Sequence, residues 1–160
     1  MISSFQSIAR RKKLQRAGQV ILGALLAQPV WSVSDQQLEI TLSLNDQLIE
    51  AEVAYTEAAR MHGLAHHQML PENRGMLFAF RQPGLYGMWM RNTSIPLSVA
   101  FLDEQGVIIN IAVMEPNTLT RHFPDRPAKY ALEVNRGWFA ARGIKTGMQV
   151  AGIKHAPPAE

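Results

Sequence analysis

Residues 38–56, LEITLSLNDQLIEAEVAYT, alternate apolar and polar side chains with a period of two. Leu38, Ile40, Leu42 and Leu44 fall on one side and Glu39, Thr41 and Ser43 on the other, the pattern of a strand with one face in a core. Asn45-Asp46 breaks the run with two side chains that tolerate tight-turn backbone. LIEAEVAY then resumes as the partner strand, so the stretch predicts a hairpin and an antiparallel sheet.

Working outward, Thr56 is placed to cap a short helix over EAARMH, with Glu57 in its first turn and Gly63 at its end. A Pro71–Gly75 loop leads to a strand over MLFAF, the loop RQPG and a further strand over Tyr86–Arg91. Pro96 belongs at a strand edge or start, and LSVAFLD follows it. Asp103–Gly106 reads as a turn, from which VIINIAVM returns as a second hairpin. A long polar loop (Glu115–Lys129) precedes a strand over YALEV, a short helix around Trp138–Arg142, and a final strand in GIKTGMQVAGI. About seven short strands with one or two short helices, and no strand–helix rhythm, predict a compact antiparallel β-rich α+β domain able to curl into a small barrel. One domain is expected over 33–155, with 156–160 as a loose tail; a chain of this size buries enough surface to fold alone.

The net charge of +3 suggests a nucleic-acid partner only until its location is checked. Of the 16 basic residues, Arg10, Arg11, Lys12, Lys13 and Arg16 lie in the first 32, which contain no acid. Residues 33–160 keep 11 basic against all 13 acidic residues, a net of −2. No nucleic-acid partner is expected of such a domain. The leader itself has a basic stretch, RRKKLQR, followed by the apolar VILGALLA, a helix-breaking Pro29 and a small residue at Ser32. That order is the pattern of a secretory signal peptide over 1–32, cut near Ser32. The competing reading is an uncleaved anchor, the one route to membrane contact, although the apolar run is short for a span. The expected location is the periplasm or cell envelope.

The chain has no cysteine, which excludes disulfide scaffolds, cysteine zinc sites and thiol nucleophiles. His62 and His66 stand four apart, but Gly63 between them falls at the helix end and spoils a shared face, so no metal site is expected. No serine has a nucleophile-elbow context. No cofactor is expected, and no catalytic residue can be assigned from motif alone.

The segments GMLFAF (75–80), MWMRNTSIPL (88–97), PAKYALEVNRG (127–137) and GIKTGMQV (143–150) resemble the motifs of domain-of-unknown-function family 192, in order and spacing. The resemblance implies a compact β-rich fold, often in exported proteins, and implies no reaction. Three positions depart from the family pattern: His67 stands where an arginine is usual, Ser98 where an aspartate follows I-P-L, and Gln149 close to another aspartate.

The candidate ligand-binding residues are Arg74, Trp89, Arg91, Asn92, Thr93, Glu133 and Asn135. Alternation sets Trp89 and Arg91 on one face of MWMRN, and Glu133 with Asn135 on one face of ALEVN. A guanidinium recognises anions in a planar, bidentate way, and tryptophan supplies a stacking surface. Against this stands a structural reading in which Arg91 and Glu133 form a buried pair pinning two strands, with breakage costing ~3–5 kcal/mol. The leading expectation is a small exported envelope module that binds an unknown small molecule or envelope protein. The alternative is a cofactor-independent enzyme, such as a hydrolase of a sugar or anionic substrate, working through Arg91, Asn92 and Glu133. RHFPDRPAK (121–129) reads as a surface loop that could act as a lid or docking edge.

Overall fold

The computed structural model describes residues 38–160; the signal-peptide reading of residues 1–32 lies outside them. The elements are β1 (Glu39–Leu44), β2 (Gln47–Ala54), α1 (Glu57–His62), β3 (Arg74–Gly84), β4 (Leu97–Leu102), β5 (Ile108–Met114), β6 (Ala128–Asn135) and α2 (Trp138–Ala141). A short 3₁₀ turn covers Ile153–His155. The strands form one six-stranded sheet in the order β1-β2-β3-β6-β4-β5, giving the expected α+β class.

The opening hairpin forms as its alternation predicts. Leu44 faces Gln47 across a two-residue turn, and Asn45 and Asp46 both adopt positive φ, of 46° and 63°. Paired positive φ values give the turn a twist that matches the flanking strands. Thr56 caps α1 by accepting from the Ala59 N–H at 3.1 Å. The β4–β5 turn is held by Asp103, whose Oδ1 accepts from the N–H groups of Gln105 and Val107.

Four expectations are corrected. β2 and β3 pair in parallel, because α1 carries the chain across between them. β3 runs on through the expected loop RQPG to Gly84, with its pairing to β6 shifting register between Ala79 and Gly84. Tyr86–Arg91 is no strand: it makes one bridge, Met88 to His122. The final strand is likewise reduced to bridges, Gln149 to Val107 and Ala151 to Ser43. The sheet therefore has six strands and stays open as a sheet, although residues 149–151 touch both of its ends. Gly152 permits this contact, since a Cβ there would sit 2.5 Å from the Thr41 carbonyl oxygen and its φ is +94°.

The sheet is covered on both faces. Leu132 and Val134 of β6 join Leu42, Ile49, Leu77, Trp138 and Phe139 in one core. Ala128 and Ala131 of the same strand face the other way, into a core with Phe78, Phe101, Met90 and Leu64. Glu133, next but one after Ala131, projects toward this second core and is 3% exposed.

The departures from the family pattern take local structural roles. Ser98 is buried, and its Oγ accepts from the Gly137 N–H at 3.1 Å, fixing the chain where α2 begins. Gln149 donates through Nε2 to the Gln105 carbonyl at 2.9 Å. The His67 ring lies 3.3 Å from the Ala65 carbonyl. Ser98→Ala leaves the Gly137 N–H without its acceptor, so a loss of about 1–3 kcal/mol is expected. A thermal melt of residues 33–160 checks this, with the midpoint expected to fall by several degrees.

Candidate functional site

The second face of the sheet is not sealed. A cleft of about 420 Å³ opens between α1, β3 and the segment from Tyr86 to Thr93, with Arg121 on its far wall. Phe78, Phe80, Leu64 and Met88 make its apolar lining, and Glu133 also lines it. Tyr86 stacks on Phe80, with ring centroids 4.0 Å apart.

Four of the seven expected residues meet here: Trp89, Arg91, Thr93 and Glu133. Alternation acts over the short run before the turn. Met88 and Met90 are buried, Trp89 is half-buried and Arg91 is exposed. Thr93 is buried, and its hydroxyl donates to the Arg91 carbonyl at 3.3 Å. The other three residues serve the scaffold. Arg74 pairs with Glu39 on the surface and lies 3.9 Å from Glu52. Its guanidinium holds the Glu39 carboxyl below the usual carboxylate range, chiefly through their hydrogen bond. Asn92 takes a positive φ of 56° in the turn after Arg91, and its carbonyl accepts from the His66 N–H at 2.9 Å. Asn135 donates to the carbonyls of Leu70 and Pro71, tying the loop before β3 to β6.

The expected Arg91–Glu133 pair does not form. Arg91 is exposed at the cleft, whereas Glu133 lies in the central strand, with Met76 and Val99 as its cross-strand neighbours. No ion pair joins Glu133 to a described residue. Burial alone raises its pKa, to about 8. The carboxyl is therefore mostly protonated at neutral pH, and none of the arginines stands close enough to offset its burial.

The sequence reading missed the second wall. Arg121 lies over the Trp89 ring, its Cζ 4.6 Å from the centroid. The loop carrying it is clamped by paired backbone bonds between Met88 and His122, both of 2.9 Å. Gly87 allows that approach, since a Cβ there would meet Phe123 at 2.7 Å. The cation-rich composition of RHFPDRPAK was the available signal, but nothing in it names Trp89 as the target. Arg60 and His62 of α1 also line the cleft. Arg60 is largely committed elsewhere, donating to the carbonyls of Tyr55 at 2.6 Å and Ala79 at 3.0 Å. His62 and His66 have ring centroids 6.1 Å apart. Among the described residues, no cluster of three or more His, Asp or Glu side chains is arranged to hold a metal ion.

Fold and cleft together define a single α+β domain with one buried carboxyl and several cations around an apolar hollow. The profile of domain-of-unknown-function family 192, described as an uncharacterized ACR, matches residues 40–152, and the chain belongs to that family. Among solved structures, a Novosphingobium aromaticivorans DSM 12444 protein of unknown function is similar at 32% identity and a TM-score of 0.66. The match covers 71% of this chain and 83% of that one. A Sinorhizobium meliloti 1021 protein, described as a candidate transcription regulator, is similar at 27% identity and a TM-score of 0.67. That match covers 71% of this chain and 92% of the other. Curated proteins give no match.

Glu133 links the site to stability. Its folded pKa of about 8 lies above the ordinary 4.5, so between these values the native state binds more protons than the unfolded state. The stabilising share of the neutral form is full below about pH 4.5 and is lost as pH rises through about 8, by on the order of 5 kcal/mol. Glu133→Gln keeps the shape and removes the titration. Melting temperatures from pH 5 to pH 9 should therefore fall more steeply for the wild type than for Glu133→Gln. Parallel curves would show that the carboxyl titrates alike in the folded and unfolded states and is already ionised in the folded protein across this range.

Proposed function

We propose that this protein is a binding module whose cleft takes a small anionic ligand, held by Arg91 and Arg121 above the Trp89 ring. The observation that carries this reading is the placement of two guanidinium groups at an apolar hollow. Neither makes an ion pair with a described residue. Guanidinium forks suit carboxylate, sulfonate or phosphate groups, and the ring beneath Arg121 restricts its motion and orients it. A protonated Glu133 carries no charge to repel an anion. The lining aromatics favour a ligand with a flat or apolar body.

An aromatic carboxylate such as 4-methylbenzoate is a suitable probe, followed by chemical shifts of the tryptophan indole N–H groups. The Arg91→Ala/Arg121→Ala double variant should weaken binding by at least roughly tenfold, the loss of two charge-assisted contacts. Lys154→Ala, an exposed cation outside the cleft, should leave binding unchanged. Equal affinity in both variants would count against the reading.

The same carboxyl supports a second reading, a cofactor-independent enzyme in which Glu133 acts as general acid or base. A carboxyl titrating near the working pH suits that role, and a hydrolase of a sugar or anionic substrate is the form it would take. The description of one relative as a candidate transcription regulator gains no support here, because residues 33–160 carry a net charge of −2.

The proposed setting is the periplasm or envelope, supported by the basic and apolar order of residues 10–27. Expression of the full chain with N-terminal sequencing of the exported fraction checks it. A mature start near residue 33 is expected, whereas an intact Met1 in the membrane fraction would support a retained anchor.

A further inference from the structure

Resting on the anion-binding reading, the polarity of the cleft narrows the ligand class. The free cations, Arg91 and Arg121, belong to the Tyr86–Thr93 segment and the facing loop, while the buried carboxyl belongs to the central strand. They do not neutralise one another, since no ion pair joins them and burial alone acts on Glu133. A purely anionic ligand would engage the arginines and leave a buried carboxyl with no partner, an arrangement that lowers stability and gains nothing in binding.

We infer that the cleft takes an elongated zwitterion, with an anionic group against Arg91 and Arg121, a flat apolar body along the aromatic wall, and a primary amine against Glu133. The surroundings of Glu133 favour a cation over a neutral polar group. Its neighbours in β3 and β4, Met76 and Val99, are apolar and offer no competing hydrogen bond. Of the charged or titratable groups facing the cleft, α1 supplies Glu57, Arg60 and His62, and the Tyr86–Thr93 segment supplies Tyr86 and Arg91. The 115–127 loop supplies Arg121. Arg60 spends its guanidinium on main-chain carbonyls. An ammonium would therefore be the group that meets the carboxyl with opposite charge and hydrogen bonds together.

The proton balance follows. At pH 7 the Glu133 carboxyl carries a proton, and the amine is already an ammonium in solution. Forming the ammonium–carboxylate contact transfers the Glu133 proton to buffer, so one proton leaves for each ligand bound. An anion bound through the arginines alone releases none.

The experiment compares 4-(aminomethyl)benzoate with 4-methylbenzoate, which differ only in the amine. Calorimetric titrations at pH 7 in HEPES and in Tris, whose ionisation enthalpies differ, count the protons. The wild-type protein is expected to bind the amine-bearing probe roughly tenfold more tightly, releasing close to one proton. In Glu133→Gln the amine should confer no advantage, so the two probes should bind alike and the amine-bearing one should release no proton. Equal affinities and no proton release in the wild type overturn the zwitterion assignment, a result that needs no variant to fold. If 4-methylbenzoate still loses affinity in the Arg91→Ala/Arg121→Ala variant, the anion site stands and only this inference fails. If that variant binds both probes as the wild type does, both readings fail together.

Discussion

β6 is the constraint on which the rest of the molecule depends. It lies between β3 and β4, so its main chain is hydrogen-bonded on both edges, and cores cover both of its faces. A strand in that position has no solvent side on which to place a polar residue. Leu132, Val134 and Ala131 satisfy that demand, and Glu133 does not. Glu133 instead sets a carboxyl between Met76 and Val99, two members of the second core, where it lines the cleft.

The walls of the hollow are held by main-chain bonds rather than by the side chains that face into it. Besides the Met88–His122 pair, the N–H of Met90 donates to the Thr118 carbonyl and that of Asn117 to the Thr93 carbonyl. The 88–93 segment and the 117–122 segment are thereby laced together without belonging to the sheet. Asn92 in its left-handed conformation reverses the chain between them and the His66 turn. Arg91 and Arg121 are left free to face outward. A site built in this way can change its side chains with little effect on the fold, because the hydrogen bonds that shape it do not depend on side-chain identity.

Local signals were legible and long-range ones were not. The hairpins were readable because a period of two and a turn dipeptide act within a dozen residues, as at Asn45-Asp46 and Asp103–Gly106. The α1 cap at Thr56 was readable for the same reason. The parallel β2–β3 pairing was hidden because α1, at six residues, gives no sign of which edge the chain rejoins. The supposed strands at Tyr86–Arg91 and in the last motif have strand composition but only single-bridge partners, and composition does not report whether a partner is in register. Within the site, alternation placed Trp89, Arg91 and Glu133 correctly relative to their own neighbours. It could not tell that Arg91 and Glu133 lie apart, because alternation assigns a face and not the residue opposite. Arg121 was out of reach altogether, since it arrives through a loop closure thirty-odd residues beyond Trp89 that no local pattern encodes.

This geometry also separates the two ways a buried polar group can persist. A structural pair would be recognised by its partner, as Asp103 is by Arg126 at 3.0 Å or Ser98 by the Gly137 N–H. Each of those groups has its hydrogen bonds met inside the protein. Glu133 has no such partner, so its burial lowers stability wherever it ionises and strengthens no other contact. Groups of that kind are expected where function rather than folding selects the residue, because any apolar side chain would pack the position better. The aromatic wall and the free guanidinium groups meet at the same hollow, and packing accounts for neither exposed arginine. A ligand that brings the missing counter-charge accounts for the carboxyl, the cations and the hollow together.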